Sequence, residues 1–321
     1  MSPSPVAIPI ATRGSALARW QADHVAGLLT EAGAAAGSEV DAPLVVVETT
    51  GDRRLDVPLW EIGGKGVFVK EVQAAVLDGR ARVAVHSGKD LPARTPDGLV
   101  LAAVPERADP RDVLVGATLA GLGVGAVIAT GSVRRRVQLA DLRPDLTFTG
   151  LRGNIATRLD KVPPGGAVVM AAAAIDRLGL ADELARRGLV TEVLEPSVVL
   201  PQVAQGALAI ECRADDDEAL ELLATLDHAP SRRAVDAERA FLAELGGDCD
   251  LPAGAFARLV DEASGDAGAA GGPLRVGALL ASLDGHVLLR AEAVGDDPEA
   301  LGRGLARHLR DDAGGAALAD A

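Results

Sequence analysis

Short apolar runs alternate with helix-compatible stretches along this chain, and that alternation restricts its fold more than any other feature. "VAIPIAT" is followed by Arg13, Gly14 and Ser15 and then by the helical "ALARWQADHVAGLLTEAG", with Ser15 placed to cap the helix. "GAVIAT" and "LTFTG" repeat the order of strand, small-residue turn and helix, "GGAVVMAAAAI" runs from strand into helix, and "PLVVVETT" and "ARVAVHS" are further strands ending in polar turns. This spacing predicts an α/β fold with mainly parallel pairing. "LPQVAQGALAIECR" reads as a returning strand region. From "AGAFARLV" to "LLRAEAV" the period falls to two, which predicts a small antiparallel sheet. "DPEALGRGLARHLRDD" follows as a last helix, and "AGGAALADA" reads as a loose tail.

At 321 residues the chain exceeds the roughly 250–300 residues at which one core stops growing, so two or three domains are expected. Charge and proline interrupt two apolar runs at Pro105–Asp112, which marks one crossing between domains. Aromatic residues make up 2% with no Tyr, so Ala, Val, Leu and Ile must build the core and few rings are free to stack on bases. A net charge of −14 repels nucleic acid and anionic membranes. No apolar run approaches the roughly 20 residues of a membrane span. The start "MSPSPVAIPIATRGS" lacks the form of a secretory signal, so a cytoplasmic location is expected, with Cys212 and Cys249 as thiols. The five histidines are scattered without metal-ligand spacing. "EIGGKGVF" has no Ser or Thr after its lysine, and "GLGVGAV" precedes a strand, so neither is a nucleotide loop.

Against this acidic background, cations collect where strands end. Arg13, Lys89, Arg134, Arg135 and Arg152 each follow a strand beside Gly or Ser, with Arg158 shortly after. Open α/β sheets bind ligands at the carboxyl ends of their strands, and arginine forks match carboxylates and phosphates. The pattern points to a cleft for an organic polyanion. The competing reading is a set of helix-surface ion pairs that contribute little. Arg134, Arg135 and Arg136 lie about 100° apart on a helix, so all three cannot face one site. Asp90, beside Lys89, either stabilises a developing positive charge or forms a turn before Pro92. Cys249 sits in a tight turn between Asp248 and Asp250, where carboxylates disfavour a thiolate. It is a buried inert thiol or a covalent attachment point.

The ordered motifs "ATRGSALARWQA", "GGKGVFVKE", "HSGKDLP", "ERADPRD", "TGSVRRRVQL", "LRGNIATRL", "AAIDRLGL", "VAQGALAIECR" and "GGDCDLPAGA" resemble the porphobilinogen deaminase (hydroxymethylbilane synthase) family. The resemblance implies an α/β fold of three domains. Two periplasmic-binding-protein-like (type II) lobes, 1–105 with 201–225 and 106–200, flank a cleft, and a small C-terminal α+β domain with an antiparallel sheet spans 226–321. It implies an enzyme that joins four porphobilinogen molecules head to tail, releasing ammonia, to give hydroxymethylbilane. The cofactor implied is a dipyrromethane held through a thioether to Cys249, with no metal and no nucleotide. By the same resemblance Asp90 and Lys89 are catalytic. Arg13, Ser15, Lys65, Ser87, Ser132, Arg134, Arg135, Arg152, Asn154, Arg158, Arg177 and Gln205 bind substrate or cofactor carboxylates, and Phe68 lies at the cleft. A monomer without nucleic-acid or membrane partners is expected. The sequence departs from the family at Asp248, Ala174 and Ala204, where glycine is usual. The alternatives are a non-catalytic carboxylate-binding module with the same arginines, and an inactive paralogue.

Overall fold

Pro9 splits the first apolar run, because it has no amide hydrogen for a ladder. Strand β1 (Val6–Ala7) stops before it and pairs in parallel with β3 (Val40–Asp41), while β2 (Ile10–Arg13) begins after it. The computed structural model describes residues 5–53, 66–246, 251–260 and 271–319. They form two units, 1–107 with 207–232 and 108–206 with 233–321.

In the first unit β2 is joined by β4 (Leu44–Val47), β5 (Val83–Ser87), β6 (Leu99–Ala103) and β12 (Leu208–Arg213), in the order β4-β2-β5-β12-β6. One face packs Ile10, Val83, Val85 and Ile210 against Ala22, Val25 and Leu29 of helix α1 (Ala16–Ala35). The other packs Ala11, Val47 and Ala84 against α3 (Lys70–Leu77), where the sequence spacing of Val69, Val72, Ala75 and Val76 predicts an apolar helical stripe and Val72, Ala75 and Val76 make the contact. The short α2 (Thr50–Arg53) lies between, and α8 (Asp217–Ala224) follows β12. Helix α9 (Ala229–Glu244) leads out of this unit.

The second unit repeats the plan. Its sheet has the order β11-β7-β10-β8-β9, from β7 (Asp112–Gly116), β8 (Val127–Ala129), β9 (Thr147–Thr149), β10 (Ala167–Ala171) and β11 (Val190–Leu194). Helices α4 (Val133–Leu142), α5 (Ile155–Leu159), α6 (Ala172–Arg177) and α7 (Ala181–Arg186) connect its strands. Central β10 is buried at every position, as a strand covered on both faces requires. The C-terminal part is an antiparallel sheet of β13 (Ala253–Leu259), β14 (Leu274–Ala281) and β15 (Leu288–Gly295), with α10 (Pro298–Arg307).

The α/β class, the pair of like-built lobes and the small C-terminal antiparallel sheet match the expected architecture. Three local expectations are corrected. Pairing within each five-stranded sheet is not mainly parallel: β12 runs against both β5 and β6, and β7 runs against both β10 and β11. Each of these strands enters its sheet directly from the other unit, not through a crossover helix of its own. The expected strand around Leu200–Ala207 is a loop, and the ladder begins at Leu208. The tail contains a helical turn, α11 (Ala316–Ala319).

Candidate active site

Strands β2 and β5 run in parallel, and their ends carry the first group of expected residues. Ser15 caps α1, its hydroxyl accepting from Ala18 N at 3.2 Å. Arg13 ends β2 and donates to both oxygens of Asp52, Nε at 3.1 Å and Nη2 at 2.5 Å. Its guanidinium also lies 4.0 Å from the centre of the Phe68 ring. Fork and stack together fix its plane. Burial opposes ionisation of Asp52, but hydrogen bonds from Arg13 and Thr49 outweigh it and hold the carboxyl below its ordinary range.

After Ser87, β5 gives way to one 3-10 turn, Gly88–Asp90. Gly88 N donates to Ala207 O at 2.9 Å, which carries the β5–β12 ladder one step beyond the strand. That anchor sets Lys89 and Asp90 just past the strand end. Arg13, Ser15, Phe68, Ser87, Lys89 and Asp90 line a single pocket of about 70 Å³ together with Gln21 and His86. His86 Nε2 lies 3.1 Å from Glu211 Oε2, and that oxygen accepts a hydrogen bond from Gln73 Nε2 at 2.8 Å.

In the second unit Ser132 caps α4, its hydroxyl accepting from Arg135 N at 3.4 Å. The turn before it is tight: a Cβ on Gly131 would lie 2.7 Å from the carbonyl oxygen of Leu151, so only glycine admits this approach. Arg134 and Arg135, expected to face a cleft, are 2% and 6% exposed and bond to partners inside the unit through every donor nitrogen but Arg134 Nε. Asp112, fully buried at the start of β7, accepts from Arg134 Nη2 at 2.7 Å and from Arg135 Nε and Nη2 at 3.0 and 2.7 Å. Long side chains let neighbours about 100° apart converge on one carboxylate. Gln205 Nε2 donates at 2.8 Å to Asp112 Oδ1, the oxygen that also takes the Arg135 bonds, while Arg134 holds Oδ2. Burial opposes ionisation of Asp112, and the two guanidiniums outweigh it, keeping the carboxyl far below its usual range. Arg136 turns away and donates to the carbonyl of Leu283.

The remaining arginines sit near helix ends. Asn154 caps α5, accepting from Thr157 N at 3.0 Å, and Arg158 Nε donates to Gly153 O at 2.8 Å. The Arg152 carbonyl accepts from Lys161 Nζ at 3.0 Å. Arg177 Nη2 donates to Gly206 O at 2.7 Å, and burial pushes its pKa down to about 10. Lys65 and Cys249 lie outside the described residues. The structure thus gathers Arg13, Ser15, Phe68, Ser87, Lys89 and Asp90 at one pocket, and Arg134, Arg135 and Gln205 around Asp112, with Ser132 capping the helix that carries the two arginines.

Sequence reasoning missed two residues, Asp112 and Gln21. An acid opening the apolar run "DVLVG", and a glutamine within the inward stripe of α1, are the signals that were available.

A dipyrromethane brings carboxylate arms and pyrrole N–H groups, so it needs cations and an acceptor. The described residues offer both. Asp90 supplies an acceptor among the hydroxyl and cationic donors of the pocket. The Asp112 cluster sets two guanidiniums against one carboxylate, and Arg134 Nε has no hydrogen-bond partner among the described residues. A surplus donor and a surplus positive charge fit an anionic group. No group of three or more His, Cys, Asp or Glu among the described residues is arranged to hold a metal.

Each unit is an α/β lobe with charged groups at its strand ends, which places the chain in the class of α/β proteins whose ligands bind where strands end. Within that class the match is specific. The "Porphobilinogen deaminase, dipyromethane cofactor binding domain" family model matches residues 8–221, and the "Porphobilinogen deaminase, C-terminal domain" model matches 233–311. The chain is 45% identical to the porphobilinogen deaminase of Nitratidesulfovibrio vulgaris strain Hildenborough over 92% of its own length and 90% of that protein. It is 45% identical to that of Chromobacterium violaceum, covering 95% and 94%, and 42% identical to that of Brevibacillus brevis, covering 97% and 96%. The chain belongs to the porphobilinogen deaminase family. It is an enzyme of tetrapyrrole biosynthesis that polymerises porphobilinogen and takes a dipyrromethane cofactor.

Proposed function

We propose that Asp90 is the catalytic carboxylate of this enzyme. Loss of ammonia from porphobilinogen leaves a cation delocalised onto the pyrrole nitrogen. A carboxylate fixed beside that nitrogen stabilises the charge as it forms, which lowers the barrier more than it strengthens binding. The observation that carries this reading is the anchored turn Gly88–Asp90, which sets Asp90 in the same pocket as Arg13, Ser15 and Lys89. Lys89 and Arg13 balance the acidic arms of the ring, and the hydroxyls of Ser15 and Ser87 orient them. The cofactor, joined through sulphur to Cys249, supplies the pyrrole end to which each new ring is added.

Lys65, Ser132, Arg134, Arg135, Arg152, Asn154, Arg158, Arg177 and Gln205 complete the carboxylate-binding set, with Phe68 holding Arg13 in plane. The division into domains 1–105 with 201–225, 106–200 and 226–321 belongs to the same reading. So do a monomeric state and a cytoplasmic location. Among the described residues no helix is long and apolar enough to cross a membrane. Intact-mass measurement and turnover test the proposal together. The protein should carry the added mass of two linked pyrrole units, and Cys249→Ser should lose it. Asp90→Ala should keep its melting temperature and its cofactor while turnover falls by about 10²–10³, the scale of removing one transition-state contact. Near-normal turnover in Asp90→Ala refutes the role.

A further inference from the structure

The inward stripe of α1 is Gln21, Ala22, Val25, Leu29 and Gly33, apolar except at its first position. Gln21 is 3% exposed, as deeply placed as the core around it. Its Nε2 has no hydrogen-bond partner among the described residues. A buried amide donor left unmade destabilises a fold, and an apolar side chain of the same length would remove that penalty. The side chain lines the pocket that holds Arg13, Ser15, Lys89 and Asp90. The unmade donor therefore belongs to a place where a ligand arrives.

The chemistry of that ligand follows from its neighbours. Lys89 brings positive charge, Arg13 a guanidinium whose fork Asp52 holds in plane, Ser15 and Ser87 bring hydroxyls, and the unmade group on Gln21 is an N–H. An acceptor carrying negative charge satisfies all of them. A volume of about 70 Å³ holds a few heavy atoms, the size of a carboxyl arm with part of its ring. We propose that the Gln21 carboxamide contacts substrate, donating from Nε2 to a carboxylate oxygen on an arm of a pyrrole ring. This rests on the reading of the pocket given above. The ring is either that of free porphobilinogen or one of the bound cofactor, and the measurements separate the two.

The test compares wild type, Gln21→Met and Gln21→Glu, each purified with its cofactor and weighed intact. Gln21→Met keeps length and removes the donor, so its melting temperature should equal or exceed that of wild type. If the arm belongs to free substrate, its KM for porphobilinogen should rise about tenfold, equivalent to about 1.4 kcal/mol, with kcat within about threefold. If the arm belongs to the cofactor, the fraction of protein carrying the cofactor mass should fall instead. Gln21→Glu opposes one carboxylate with another and should be worse than Gln21→Met in the same quantity. Gln21→Ala repeats the comparison should methionine not fit. Wild-type KM together with full cofactor loading in the variants overturns the proposal, and an accompanying loss of melting temperature marks Gln21 as merely structural. A wild-type protein with neither added mass nor turnover would instead remove the underlying reading of the pocket.

Discussion

Asp112 is the residue whose removal should be felt most in the second unit. It is fully buried, and the two guanidiniums bound to it are 2% and 6% exposed. Asp112→Ala leaves both charges in a dry interior without a counter-ion and strips the Gln205 amide of a partner at 2.8 Å. Breaking a buried pair by removing one partner costs about 3–5 kcal/mol. At roughly 2–4 °C per kcal/mol for a domain of this size, the melting temperature should fall by about 6–20 °C at pH 7. Asp112→Asn keeps an oxygen acceptor and should lie toward the milder end. The pH dependence has a definite sign. The carboxyl is held below its unfolded value of about 3.9, so its stabilisation is fully present above that value and drains away as pH falls toward the folded value. Thermal or urea unfolding from pH 7 to pH 3 should therefore show the gap between wild type and Asp112→Ala narrowing below about pH 4. A loss under about 1 kcal/mol at pH 7, or a gap that does not narrow, would refute the arrangement.

Further outcomes follow from backbone geometry and pairing. Among the described residues Ala204 is the one non-glycine with positive φ, at 55°, so Ala204→Gly should raise the unfolding free energy by about 1–2 kcal/mol, checked by urea titration. A Cβ on Gly302 would sit 2.1 Å from the carbonyl oxygen of Ala237, where α10 meets α9. Gly302→Ala should thus cost about 1–3 kcal/mol in the same assay. Arg13→Lys loses the fork to Asp52 and the flat stack on Phe68, and should raise KM for porphobilinogen with little change in melting temperature.

What the sequence revealed was what neighbours in the chain decide. Ser15 reads as a helix cap because a cap bonds a backbone amide three residues on, and it does so; the structure adds Ser132 and Asn154 in the same role. The α3 stripe was legible for the same reason, its buried positions recurring at helical spacing. The antiparallel direction of strands β7 and β12 was not legible, since their apolar patterns are those of any buried strand and only long-range pairing sets their direction. Arg134 and Arg135 were recognised as important while their immediate partner was not, because Asp112 lies 22 and 23 residues away. Gln21 was invisible because its significance is a bond that is missing, and a missing bond appears only when packing is known.

The place of β12 bears on how the chain is made. β6 ends at Ala103, yet β12, which pairs with both β5 and β6, begins at Leu208. A ribosome adding 5–20 residues per second needs about 5–20 s to cover the roughly hundred residues between them. Throughout that interval the N-terminal lobe has no strand to bridge β5 to β6, while the sheet of the intervening lobe, complete by Leu194, is free to close first. Nascent chains released before β12 should leave the first lobe open to proteases and chaperones, although it is the first to leave the exit tunnel.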